Sequence, residues 1–213
     1  ELISSFEYFL QLKGYHTNTI AKHMKHLKRH VNIAINKEYI EIQKYAFRKY
    51  KIKTIENKHT HLVPEELERL ENLILSGRYV KLQKSLDAFL FCCYAGMRYS
   101  DFINLSSENF VDINQETWLI YKSVKTGTEV RLPLYLLFSG KGIAILNKYR
   151  DNLEDFFHLR DNSNVNKDLI IITRLAGLSK RISFHTARHT NATLLIYNGI
   201  NITTCLLYTS PSP

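Results

Sequence analysis

The sequence contains little cysteine, and its spacing fits neither a disulfide framework nor a zinc site. Only three of the 213 residues are cysteine, and two of them, Cys92 and Cys93, are adjacent. Structural zinc sites use spaced pairs of ligands, and secreted disulfide scaffolds use even sets of cysteines. We therefore expect a protein of a reducing compartment, and predict a cytoplasmic location.

Long hydrophobic runs are also missing. The longest, Ala88 to Met97, is about half of the roughly 20 residues that a helix needs to cross a bilayer. No signal-peptide pattern opens the chain, so we predict no membrane association. A hydrophobic content of 45% over this length excludes a disordered tail and suits one domain or two small ones.

Positive charge is present in excess, with a formal net charge of +9. Residues 1–58 hold 12 Lys and Arg against 5 Asp and Glu, and therefore carry +7 of that charge. Six of the nine histidines lie in or just after the same stretch, where a polyanion would raise their pKa and recruit them as cations. This distribution indicates nucleic acid as the partner, although a lysine-rich solvated surface would have the same composition.

Apolar residues recur at helical spacing in the first part of the chain. The pattern predicts a helix that ends before Gly14, a second helix from about Thr19, and a third over residues 38–50. On the second helix, four basic residues share a face away from the apolar stripe: Lys22, Lys25, His26 and Arg29. We expect this face to lie along the phosphate backbone of double-stranded DNA; the alternative is an ordinary surface helix.

The periodicity is lost over residues 51–61, and Pro64 then begins a second domain. A helix from about Val80 to Ala95 is apolar on nearly all sides, which predicts the buried centre of this domain. The remaining segments predict a small β-hairpin (residues 117–121 and 129–132) and helices at 141–150, 166–176 and 190–197, although periodicity leaves a strand open for 166–176. The predicted fold class is mainly α with a small β-hairpin, an α+β arrangement.

Three separated segments carry the residue types that phosphate chemistry requires. Arg98 follows the buried helix, Lys125 lies in the hairpin turn, and His185 and Arg188 open the last helix. A guanidinium on a rigid support can hold a phosphate through two donors. Taken singly, each residue has a structural explanation: Arg98 could pair with Asp101, Lys125 could be a solvated turn residue, and His185 could simply start a helix.

Taken together, in this order and after a basic helical segment, they resemble the tyrosine recombinase (phage integrase) family, in the style of recombinases from Bacteroidetes mobile elements. The resemblance covers nearly all of residues 1–204. The matching motifs are Ala-Gly-Met-Arg98-Tyr-Ser-Asp101, Lys125-Thr-Gly-Thr-Glu-Val-Arg-Leu-Pro-Leu and His185-Thr-Ala-Arg188-His189-Thr. The resemblance implies an incomplete helical core-binding domain at residues 1–55, an incomplete catalytic domain at residues 62–204, and a helix for 166–176.

The resemblance also implies a chemistry: cleavage and rejoining of DNA without a metal ion or a cofactor. A tyrosine attacks the phosphodiester and leaves a 3′-phosphotyrosyl link and a free 5′-hydroxyl. Arg98 and Arg188 would hold the nonbridging oxygens and neutralise the transition state. Lys125 would protonate the leaving oxygen, and His185 would assist proton transfer at the nucleophile. The family acts as a homotetramer on synapsed DNA sites.

Two further residues are expected to support this set. Asp101 should hold Arg98 or its helix rather than act in catalysis, because an acid close to the phosphate would oppose its binding. For His189, packing beside the Arg188 turn and contact with the phosphate remain open alternatives.

The family's Gly-His block and its nucleophilic tyrosine are not found after the His-x-x-Arg motif. Tyr197 lies on the helix that follows the motif directly, and Tyr208 precedes two prolines, so neither is expected to be the nucleophile. Residues 205–213 resemble the translation of a sequencing adapter and are expected to be a non-native tail. We therefore expect the chain to bind DNA weakly and not to cleave it.

Two other functions use similar residues. A type IB topoisomerase has a comparable set of Arg, Lys, Arg, His and Tyr, although the domain order here argues against it. A DNA-binding regulator or excision accessory factor would need no catalysis. A covalent adduct between protein and DNA distinguishes the enzymes from the regulator.

Overall fold

The computed structural model describes residues 2–56 and 59–201, and the chain divides into two compact units, residues 1–58 and 59–213. Each unit has its own hydrophobic core. The fold is mostly helical with one small antiparallel sheet, as the sequence predicts. Within the described ranges, no helix combines the length and apolar character that a membrane crossing requires.

The first unit is a helical hairpin. Helix α1 (Leu2–Leu12) and helix α2 (Thr17–Asn36) are joined at Gly14, which adopts a φ of +76°. Their facing sides bury a small cluster consisting of Ile3, Leu10, Ile20, Met24 and Phe47. The first two predicted helices are thereby confirmed.

The third helix predicted over residues 38–50 is wrong. Glu38 takes a left-handed φ of +59°, which ends the helical path, and only a short 3-10 helix, Ile42–Lys44, follows. Tyr39 and Ile42 are exposed, and Phe47 is the residue of this stretch that is buried in the core. Spacing alone suggested a helix, but local turn geometry and the packing of Phe47 decide the structure.

The second unit is built around helix α4 (Gln83–Ala95), of which every residue from Ser85 to Ala95 is buried. This confirms the predicted central helix. Most of the other helices of the unit pack against α4. The α-helices are α3 (Pro64–Glu71), α5 (Tyr99–Phe102), α6 (Lys141–Lys148), α7 (Leu153–Phe157), α8 (Asn162–Leu175) and α9 (Phe184–Tyr197). Helix α8 therefore covers all but the last of residues 166–176, and the segment is a helix, as the family resemblance implied.

The sheet of the second unit has three antiparallel strands in sequence order: β1 (Phe110–Ile113), β2 (Glu116–Lys122) and β3 (Glu129–Pro133). The predicted hairpin corresponds to β2 and β3, which pair from Trp118 opposite Pro133 to Lys122 opposite Glu129. Strand β1 was not predicted, because it is short and mostly exposed. The hairpin places residues 123–128 in the connecting turn.

Candidate active site

Gly96 ends helix α4 in a conformation that only glycine adopts without strain. Its φ is +66°, and a Cβ atom built on it would lie 2.6 Å from Oδ1 of Asn191. Arg98 follows two residues later as the N-cap of the next helix, α5. The glycine therefore fixes where the first arginine leaves the buried helix.

Helix α9 closes the same end of α4 with two side chains. The Asn191 amide donates hydrogen bonds to the carbonyls of Cys93 and Tyr94, at 2.9 and 3.0 Å. Arg188 donates to the carbonyl of Gly96. These carbonyls lack partners inside their own helix, so α9 acts as a cap for α4. As a result, Arg188 lies beside the segment that carries the first arginine.

The Arg98 side chain is mostly buried and is supported by two groups. Its Nη1 atom lies 3.8 Å from Oδ2 of Asp101 and 3.4 Å from Oγ of Ser123. The Asp101 side chain is only 1% exposed and accepts a 2.9 Å hydrogen bond from the backbone N–H of Val124. Asp101 therefore contacts both Arg98 and the hairpin, and its role as a support for Arg98 stays a prediction.

Lys125 extends from the exposed part of the hairpin turn. The turn is closed by two hydrogen bonds of 2.8 Å, from Ser123 N to Thr128 O and from Gly127 N to Ser123 O. Gly127 has a φ of +68°, which favours glycine there. The backbone that carries Lys125 is thus held by the turn, and the residue is exposed.

His185 lies within the electrostatic range of the predicted cations. Its pKa is lowered from the ordinary value of 6.5, first by burial and then by positively charged neighbours, which are Arg188, Arg98, His59 and Lys125. The cations that the sequence placed in three separate segments therefore all lie close enough to His185 for their charges to lower its pKa. At neutral pH this histidine is unprotonated and can accept a proton.

His189 packs among the other histidines. Its ring meets the edge of His185 at a centroid distance of 4.7 Å and stacks on His59 at 4.5 Å. Burial lowers the pKa of His189, and the charges of His185, His59 and Arg188 add to this effect. This geometry agrees with a packing role beside Arg188, and contact with a phosphate stays a prediction.

Two residues that contact the site, Asn191 and Ser123, were not identified from the sequence. Asn191 follows Arg188 by three positions and so shares its helix face, a spacing that could have identified it. Ser123 had no such signal, because its burial depends on the path of the hairpin. Across residues 2–56 and 59–201, no cluster of three or more His, Cys, Asp or Glu is arranged to hold a metal ion.

The first unit carries the predicted basic face on α2. A surface groove is lined by its four members, Lys22, Lys25, His26 and Arg29, together with Asn18, Ala21, Thr54 and Ile55. The Asn18 side chain holds the backbone of Ile55 through two hydrogen bonds of 2.8 and 2.9 Å. The basic side chains of α2 therefore line one side of a groove, and the segment that contains Thr54 and Ile55 lines the other.

The comparisons with known proteins agree with this arrangement. The phage integrase family matches residues 61–205, and the phage integrase SAM-like domain matches residues 1–52. No curated protein sequence matches the chain.

Solved structures with a similar fold share little sequence identity with the chain. A lambda integrase dimer bound to a COC′ core site matches with a TM-score of 0.74 and 16% identity, over 97% of this chain and 74% of the other. The Tn1549 transposon integrase in complex with circular intermediate DNA matches with a TM-score of 0.74 and 16% identity, over 98% of this chain and 76% of the other. XerH site-specific recombinase bound to palindromic difH substrate matches with a TM-score of 0.70 and 18% identity, over 99% of this chain and 66% of the other.

The two family matches together span most of the sequence, and the fold agrees with them. The Arg98 motif, the hairpin lysine and the His-x-x-Arg helix lie within the matched residues 61–205. The chain belongs to the phage integrase family of tyrosine recombinases.

Proposed function

We propose that the chain forms the DNA-binding and phosphate-activating part of a site-specific recombinase, which cleaves and rejoins DNA through a 3′-phosphotyrosyl intermediate. The observation that carries the proposal is the convergence of four groups in the second unit. Arg188 binds the Gly96 carbonyl at the C-terminal end of α4, two positions before Arg98, and both arginines lower the pKa of His185, as does Lys125. A site with this many cations suits an anion such as a backbone phosphate.

Arg98 and Arg188 would bind the nonbridging oxygens of the scissile phosphate. A guanidinium offers forked donors and keeps its charge at every relevant pH. Both side chains are held before substrate arrives, Arg98 by Asp101 and Arg188 by the Gly96 carbonyl. Such preorganised donors stabilise the pentacoordinate transition state by about 3–4 kcal/mol each.

Lys125 and His185 would move the protons. The tyrosine oxygen attacks phosphorus as the bond from phosphorus to the 5′-oxygen breaks. Lys125 gives a proton to that leaving oxygen, and His185 accepts the proton of the tyrosine hydroxyl. The lowered pKa of His185 keeps it neutral and ready for this step. The covalent link conserves the bond energy, so the strand can be rejoined to a new 5′-end without ATP.

The nucleophilic tyrosine would come from sequence that follows the described residues. Two tyrosines near the arginines are poor candidates, since burial raises the pKa of both Tyr99 and Tyr121, and Tyr99 donates to the Arg160 carbonyl. Tyr208 lies outside the described residues. We propose that residues 1–213 alone bind DNA without cleaving it, and that residues 205–213 are not native.

Double-stranded DNA is the proposed partner of both units. Residues 1–55 would form a core-binding domain whose α2 groove follows the backbone, and residues 62–204 would carry the catalytic set. Several of the similar solved structures are complexes with DNA, and they include a lambda integrase tetramer bound to a Holliday junction. We propose that the complete protein also assembles as a tetramer on paired sites.

The test is covalent capture of DNA by the complete reading frame that contains this chain. Nicked duplexes with a randomised centre are incubated with the protein, and adducts that survive denaturing detergent are sequenced. Wild type should form an adduct at a defined sequence, and Arg188→Ala should reduce adduct formation by about 10²- to 10³-fold while retaining DNA binding.

Arg174→Ala is the matched control, because Arg174 is exposed on α8 and lies outside the site. It should leave capture unchanged. Binding without any adduct from the wild-type protein would support the regulator instead. Adducts without sequence preference, together with relaxation of supercoiled plasmid, would support the topoisomerase.

A further inference from the structure

Ser123 lies at the junction between strand β2 and the turn that carries Lys125. It is 3% exposed, whereas residues 124–128 are all exposed. Its N–H donates to Thr128 O and its carbonyl accepts from Gly127 N, both at 2.8 Å. The backbone of Ser123 therefore makes both hydrogen bonds that close the turn containing Lys125.

The side chain of Ser123 faces the arginine site. Its Oγ atom lies 3.4 Å from Nη1 of Arg98, and 3.4 and 3.5 Å from the two carboxylate oxygens of Asp101. A hydroxyl can accept from the guanidinium and donate its one proton to the carboxylate at the same time. Since Asp101 also accepts from Val124 N, one carboxylate anchors two consecutive residues of the hairpin and the first arginine.

We propose that Ser123 is a positioning residue. Its hydroxyl would hold the turn that carries Lys125, the proposed proton donor, in a fixed position relative to Arg98, which would bind the phosphate. The inference rests on the proposed function and adds a residue to it. A lysine has a flexible four-carbon stem, so the position of its backbone determines which oxygen it can reach. A displacement of about 1 Å at a reacting group can cost on the order of 10²-fold in rate.

The test compares two versions of the captured DNA site in single-turnover cleavage by the complete protein. One has the normal 5′-oxygen at the scissile phosphate, and the other has sulfur at that position. A thiol has a pKa of about 8.5, far below the value of about 15.7 for water, so the sulfur leaves without a proton donor. Lys125→Ala provides the reference. This variant should cleave the oxygen substrate slowly and the sulfur substrate at a rate close to that of wild type.

Ser123→Ala should slow cleavage of the oxygen substrate by roughly 10- to 100-fold and cleave the sulfur substrate within about threefold of wild type. In the Lys125→Ala background, adding Ser123→Ala should cause no further loss on the oxygen substrate, because both changes then remove the same step. A role in stability alone would slow both substrates equally.

Ser85→Ala is the matched control. Ser85 is also a buried serine that donates to a buried aspartate, Asp168, at 2.7 Å, and it lies on α4 outside the site. It should leave both rates unchanged. Equal losses of Ser123→Ala on oxygen and sulfur, or no loss on oxygen, would overturn the inference and leave the proposed function intact. Failure of wild type to cleave either substrate would overturn both.

Discussion

Replacing Gly96 by alanine should destabilise the second unit more than the same change at another helix end. Gly96 and Gly177 both follow helices in left-handed conformations, with φ of +66° and +67°. They differ in their surroundings. A Cβ atom at Gly96 would lie 2.6 Å from Asn191, whereas nothing lies within 4 Å of one at Gly177. The pair therefore separates backbone strain from the contact with α9.

The strain of a left-handed alanine costs roughly 1–2 kcal/mol and applies at both positions. At Gly96 the added methyl group must also displace the Asn191 amide, which holds two carbonyls of α4. Two lost hydrogen bonds cost about 2 kcal/mol together. We expect Gly96→Ala to lower the free energy of unfolding by about 3–4 kcal/mol, and Gly177→Ala by only the strain.

Urea unfolding followed by tryptophan fluorescence measures this difference. The chain has a single tryptophan, Trp118 on β2, so the signal reports the second unit alone. In the Asn191→Ala background the methyl group meets less resistance, and Gly96→Ala should then cost about the same as Gly177→Ala. Equal effects of the two glycine changes in the wild-type background would refute the reasoning that α9 closes α4 through Asn191.

Two further predictions concern pH and salt. Because burial among cations lowers the pKa of His185 and His189 below 6.5 in the folded chain, the unfolded chain binds more protons, and the free energy of unfolding should fall as the pH decreases below about 6.5. His185→Gln should flatten that dependence in urea titrations from pH 7.5 to 5; an unchanged slope would contradict the assignment. In DNA binding measured against salt, Lys25→Ala should reduce the slope of log K against log salt by about 0.9. Lys44→Ala, which removes an exposed charge paired with Glu41 at 3.3 Å, should not change it.

The sequence predicted the regular elements wherever a strong apolar pattern and a local end signal agreed. Pro64 begins α3, Gly14 separates the first two helices, and the run before Ala95 is the buried helix. The pattern failed over residues 38–50, where helical spacing was present without a capping residue. There the left-handed Glu38 and the burial of Phe47 outweigh the spacing.

The candidate site was predictable in composition but not in assembly. Motif order named Arg98, Lys125, His185 and Arg188, and in the structure the charges of the three cations all lower the pKa of His185. No pattern in the sequence indicates that Arg188 binds the Gly96 carbonyl, because this contact depends on how α9 packs against α4. Ser123 was missed for the same reason: its importance comes from neighbours that are distant in sequence.

The cap that α9 places on α4 also has a consequence for folding. It joins Arg188 to Gly96, and Asn191 to Cys93 and Tyr94, all separated by more than 90 positions along the chain. Contacts of such high sequence separation form late, since the intervening loop must close first. During synthesis, the first arginine emerges long before the second. A partly made or partly folded chain therefore lacks the contact that holds Arg188 beside the end of α4. If the proposed function is correct, such a chain does not yet have the paired arginines that would bind the scissile phosphate.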